Sequence, residues 1–121
     1  MKKFTEINWL TLASEENYTA AESYLSLLYS KKILDGFIKK LQESEIVEYK
    51  SKDIFRASKL SLLGTSSVQV ARDKKRIIKG FSFSPLLLVR HQGKLIVADG
   101  YHRLCAIYSL NEDLLIHCKM A

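Results

Sequence analysis

One short run of the chain places an acid, a glycine, a phenol, an imidazole and a guanidinium in succession: Asp99-Gly100-Tyr101-His102-Arg103. A guanidinium fork grips two phosphate oxygens at once and keeps its charge at any relevant pH. Imidazole donates to a phosphate oxygen or acts as a general acid near neutrality. Glycine lets the backbone approach an anion with no Cβ in the way. The types suit an anion-binding site, above all for phosphate, formed by Gly100, Tyr101, His102 and Arg103. Asp99 and His102 are the candidate catalytic residues. Asp99 has three readings: a helix cap, a ligand for Mg²⁺, or the acceptor of a proton from a hydroxyl nucleophile. The plain alternative is an ordinary cap followed by a solvated first turn. Cations in a first turn oppose the helix dipole, which favours a bound anion over that alternative.

A second set is Arg72, Lys74, Lys75, Arg76 and Lys79, opposed only by Asp73. It reads as a solvated helix face or as a ridge turned toward phosphate or nucleic acid. Cys105 and Cys118 have no zinc spacing and read as core residues, so no metal-ligating set is assigned to the protein itself.

The elements that must position the first set are legible around it. Lys94–Ala98 is apolar and β-branched enough for a strand. Tyr101–Leu110 has Leu104, Ile107 and Tyr108 at helical spacing. A strand that runs through a glycine into a helix offers unpaired amide N–H groups at that point. Upstream, Pro85 opens a strand over Leu86–Arg90, and His91-Gln92-Gly93 turns it back as a hairpin. Downstream, Asn111-Glu112 makes a turn. A closing strand follows, with Leu114, Ile116 and Cys118 inward and Leu115, His117 and Lys119 outward. The basic set belongs to a helix over 68–79, capped among Thr65, Ser66 and Ser67 and ended by Gly80.

In this context the five residues at 99–103 resemble the signature of the ParB N-terminal and sulfiredoxin superfamily. The resemblance extends back to Ser84-Pro85-Leu86-Leu87-Leu88-Val89 and forward to Asp113-Leu114-Leu115-Ile116-His117-Cys118. It places the family's first strand at Lys52-Asp53-Ile54-Phe55-Arg56-Ala57-Ser58. It implies a nucleotide at the glycine–helix junction, ATP/ADP or CTP, with Mg²⁺ as a possible companion. Gly100, His102 and Arg103 match positions whose counterparts contact phosphate. Sulfiredoxin-like members use ATP to repair oxidised cysteine, ParB-like members hydrolyse CTP, and some relatives phosphorylate free serine. If the chain is an enzyme, the resemblance implies an ATP- or CTP-dependent phosphotransferase or a nucleotide hydrolase. Sulfiredoxin activity is not expected, because Tyr101 stands where that catalytic cysteine would be. Chromosome partition by this chain alone is not expected either, because no helix-turn-helix segment follows the closing strand. For a catalytic carboxylate of the serine-kinase kind, Glu48, Asp53 and Asp99 are candidates.

The remaining chain sets the frame. Its 121 residues are 47% apolar with a formal charge of +6, which suits one globular domain and anionic partners. No apolar run approaches the roughly 18 residues of a membrane span, no secretory leader is visible, and the expected setting is cytoplasmic. Phe4, Ile7, Trp9, Leu10 and Leu12 suggest a short strand or helical turn, with Trp9 a packing anchor. Thr19-Ala20-Ala21-Glu22 has the form of a capping box. Helical spacing follows through Tyr29 and again over 31–41, as two helices or as one weakened at Asp35-Gly36. Lys31-Lys32 and Lys39-Lys40 fall where helix ends would be. A strand or hairpin is expected over 45–55, with Ile54 and Phe55 buried, and a loop over 58–64. The expected fold is α/β (α+β). It is one domain over 1–121, with a helical addition at 1–44 and a ParB/sulfiredoxin-like core at 45–121. Besides the nucleotide reading, two others stay open: a nucleic-acid-binding module using the basic helix, and a non-catalytic interaction protein. In the last, the N-terminal helices meet a protein partner.

Overall fold

The apolar run Leu86–Val89 is buried on both sides, and the rest of the chain is layered around it. A computed structural model describes residues 6–64 and 66–121. The elements are β1 (Asn8–Trp9), α1 (Glu15–Leu25), α2 (Lys31–Glu43), β2 (Val47–Lys50), α3 (Ser51–Ser58) and α4 (Val68–Ile78). They continue with β3 (Ser82–Phe83), β4 (Leu86–His91), β5 (Lys94–Asp99), α5 (Tyr101–Leu110) and β6 (Leu115–Met120). The main sheet has the order β2-β6-β4-β5, and β6 runs parallel to β4 while the other pairs are antiparallel. The fold is α+β with a mixed sheet flanked by helices.

Alternate residues of β4 feed two cores. Leu86 and Leu88 pack with Val97, Ile116 and Cys118 against α3, α4 and α5. Leu87 and Val89 pack with Ala98 against Ala21, Leu25, Leu34, Phe37, Ile38 and Leu41 of α1 and α2. A strand covered on both faces has no polar side to show, so its sequence does not alternate. The helical addition expected at 1–44 is thus a covering layer over one sheet face. β1 is separate from it: it pairs in parallel with β3, and Trp9 stacks on His117 with ring centroids 5.0 Å apart.

Several local expectations change. The first helix starts at Glu15, and its capping box is Ser14 with Asn17, not Thr19 with Glu22. Ser14 Oγ accepts from the Asn17 amide at 3.3 Å, while Asn17 Oδ1 accepts from the Ser14 amide at 2.8 Å. An Asn at the third position serves as well as Glu here, which leaves Thr19 inside the helix. The helical region breaks at 26–30, while Gly36 lies in the interior of α2 with open space around it. Lys31 therefore falls in the first turn of α2, against the dipole, and is offset by Asp35 Oδ2 at 2.8 Å.

The segment 52–58 is helix α3, not the first strand; that strand is β2, on the sheet edge beside β6. The reason is visible at Ser51. Its amide donates to Leu114 O at 2.9 Å and its hydroxyl to Glu112 O at 2.7 Å, which ends the ladder and starts the helix. Ile54 is then buried, and Phe55 packs edge-on against Tyr108. Lys119, expected outward, is buried beneath the α1–α2 layer, where Nζ donates to Tyr18 Oη and Gln42 O. The hairpin closes in two residues, Gln92 and Gly93, both at positive φ, as a two-residue turn between twisted strands requires. Phe4 and Thr65, given roles above, lie outside the described residues. Among the described residues no helix is long and apolar enough to cross a membrane.

Candidate functional site

Strand β5 ends at Asp99, Gly100 caps α5, and Tyr101, His102 and Arg103 form its first turn. Gly100 has φ +107, a conformation that L side chains rarely adopt. A Cβ there would meet Leu86 Cγ at 2.6 Å and Arg103 Nη2 at 2.9 Å. The glycine therefore allows both the turn and the close approach of the guanidinium. Among the described residues no side chain caps the helix, which leaves its first amides for water or a ligand. The expected helix at 101–110 forms as written. It is buried on more than one stripe, through Leu104, Cys105, Ala106 and Ile107.

Asp99 does not cap the helix. Its Oδ2 accepts from Arg103 Nη2 at 3.1 Å, with both side chains mostly enclosed. The same Nη2 lies 3.4 Å from Pro85 O, and Arg103 Nε is buried with no hydrogen-bond partner among the described residues. An unsatisfied guanidinium N–H in a partly dry site costs energy until something accepts from it. Tyr101 turns its hydroxyl to donate to Ser61 O, which pins the 58–64 loop to α5. Burial, and secondarily Cys105, pushes the Tyr101 phenol above its usual range.

The first turn of α5 opens on a cavity of ≈ 380 Å³. Its opposite wall is α4, capped by Ser67 as expected from the sequence. Gln69, Arg72, Asp73 and Arg76 face the cavity, and their i, i+3, i+4, i+7 spacing makes one stripe of a helix. The floor is Phe81–Ser84, held in place where β1 pairs with β3 and where Asn8 Nδ2 donates to Gly80 O at 2.8 Å.

The two candidate sets thus share one site in part. Arg72 and Arg76 line the cavity together with Asp99, Gly100, Tyr101, His102 and Arg103. Lys75 and Lys79 face an adjoining groove on the outer side of α4, which Arg72 and Arg76 also border. Lys74 lines neither. Glu48 and Asp53 are elsewhere: Glu48 pairs with His117 Nε2 at 2.9 Å, and Asp53 lies by Arg56 at 3.7 Å beside a different cavity.

Asp73 is the residue that sequence reasoning passed over. It is only 7% exposed, lies in the cavity wall, and has no hydrogen bond or ion pair among the described residues. The signal was present, since the stripe 69/72/73/76 puts that carboxylate on the same face as two arginines. Seen as one acid in a basic run, it carried no information about direction. The thiols belong to the core: both cysteines are free and buried, burial raises the Cys105 thiol, and Cys118 is pushed up to about 12.

Fold and cavity together define a small α+β protein whose cationic cavity is built on a strand–glycine–helix junction. No protein-family model, no curated protein and no solved structure matches the chain.

Proposed function

We propose that the cavity binds the phosphate groups of a nucleotide or a phosphorylated small molecule. The observation that carries the reading is convergence. Arg72 and Arg76 come from one helix, Arg103 and His102 from the first turn of another, and all face one cavity that opens at a helix N-terminus. Arginine forks and first-turn amides both favour an oxyanion, and here they line one cavity. The resemblance of residues 99–103 to the ParB and sulfiredoxin signature favours ATP, ADP or CTP, with phosphoryl transfer or hydrolysis as the reaction class.

The test is a thermal-shift and calorimetric panel with ATP, ADP, CTP and GTP, with and without Mg²⁺. Stabilisation by at least one nucleotide is expected, and Arg103→Ala should abolish it. A flat panel for the wild-type protein rejects the reading.

A second reading rests on the outer face of α4, where Arg72, Lys75, Arg76 and Lys79 are all exposed and border one groove. That ridge suits a nucleic-acid backbone, whose binding falls steeply with salt. Lys75 and Lys79 lie outside the cavity, so they separate the readings. A Lys75→Ala, Lys79→Ala double variant should lose RNA or DNA binding and keep nucleotide binding.

A further inference from the structure

We infer that Asp73 is a ligand for a divalent cation carried into the cavity by the bound phosphate. The inference rests on the phosphate reading above and adds to it a metal and the residue that holds it. A carboxylate placed in an anion-binding cavity repels the ligand unless something positive comes between them. Asp73 is more than nine-tenths buried, and among the described residues it forms no ion pair, although Arg72 and Arg76 stand on the same stripe. Asp99, the acid first considered for a metal, is engaged by Arg103 at 3.1 Å. Asp73 is therefore the carboxylate in the cavity wall that forms no direct ion pair among the described residues.

A hydrated Mg²⁺ matches that position. It takes one or two carboxylates, keeps several waters and fills its shell with substrate phosphate oxygens. Among the described residues no group of three or more His, Cys, Asp or Glu side chains is placed to hold a metal, so the protein alone makes a poor cage. Cation and phosphate then bind together: the phosphate gives the metal its missing oxygens, and the metal screens Asp73 from the phosphate. The charge of the lining agrees. Three arginines against two aspartates leave a single net positive charge, too little for a di- or triphosphate without a metal.

The experiment is calorimetric titration of ATP, CTP and inorganic pyrophosphate into the wild-type protein, Asp73→Asn and Asp73→Ser, each with Mg²⁺ and with EDTA. For the wild type, Mg²⁺ should raise affinity by about tenfold or more, on the scale of losing or gaining one metal contact. In both variants the metal-free affinity should equal or exceed that of the wild type, because a like charge has gone, and the gain from Mg²⁺ should vanish. Electron paramagnetic resonance with Mn²⁺ supplies the independent readout, with nucleotide-dependent Mn²⁺ immobilisation in the wild type and none in the variants. Asp73→Asn keeps the side-chain shape, and thermal melting confirms that it folds. If the wild type binds a probe and Asp73→Asn retains the full gain from Mg²⁺, the metal role is overturned while the phosphate reading stands. If the wild type binds a probe with no gain from Mg²⁺, the metal role falls likewise. If none of the probes binds, the phosphate reading itself is overturned and the metal role goes with it.

Discussion

Two buried charges lie on opposite faces of one sheet, and they are treated differently. Beneath the α1–α2 layer, Lys119 is 6% exposed and donates to Tyr18 Oη at 3.3 Å and to Gln42 O at 3.2 Å. On the face that carries α3, α4 and α5, Asp73 is 7% exposed and meets no partner among the described residues. Equal burial with unequal satisfaction distinguishes the two faces. A buried charge that finds its hydrogen bonds within the fold fastens two layers together. One that does not, but whose oxygens still reach the cavity, is left to water or to a ligand. The same contrast holds for the surroundings. The α1–α2 face meets the sheet through Leu87, Val89, Ala98, Leu41 and Phe37, and the opposite face leaves a cavity among three arginines.

The largest expected effect tests whether the covering layer is structural alone. Leu41 is fully buried in the α1–α2 core, and Leu41→Ala should cost about 3 kcal/mol of unfolding free energy in urea denaturation. Nucleotide affinity of the folded fraction should be unchanged; a loss of affinity would break the division between faces. Gly100→Ala comes next, at about 2 kcal/mol of stability, since a Cβ would approach Leu86 Cγ to 2.6 Å at a backbone angle alanine resists. Here the binding signal should disappear with the stability, because Arg103 is pushed aside.

Arg103→Lys sharpens the contrast from the other direction. It keeps the charge and loses the fork, so affinity for phosphate should fall by about tenfold with little change in melting temperature. Ser14→Ala removes a cap on the covering layer and should cost about 1 kcal/mol, again with binding intact.

A last effect appears only in alkali and is absent near neutral pH. The folded protein holds the Cys118 thiol neutral up to about 12, against 9.0 for an exposed thiol. The native state thus binds that proton more tightly than the unfolded chain. Its contribution is complete below pH 9 and is lost as pH rises toward about 12. Thermal melting across that range should fall less steeply in Cys118→Ala, and iodoacetamide should label the native wild type slowly at pH 8.

The chain made its local punctuation easy to read. Gly100, Gly80, Pro85 and the Gln92-Gly93 turn each force a backbone event, and the strand, helix and hairpin they bound appear where expected. What escaped is set by long-range pairing. Nothing local reports that Ser51 bonds to carbonyls at 112 and 114, so the start of α3 read as a continuation of the strand. Nor does alternation along β6 reveal that a second layer covers its outer face, so alternation alone places Lys119 outward. The site followed the same rule. Its half at 99–103 is contiguous and was legible, whereas Gln69, Asp73 and the Ser82–Ser84 floor reach it only because α4 packs beside α5.

β6 occupies the interior of the sheet, between β2 and β4, although it is the latest of the strands in the chain. During synthesis from the amino terminus, β2 therefore waits without a ladder partner until residues 115–120 have left the ribosome. Until then the nascent protein exposes the edges of a half-built sheet, and the β2 edge gains its ladder only when β6 is at hand.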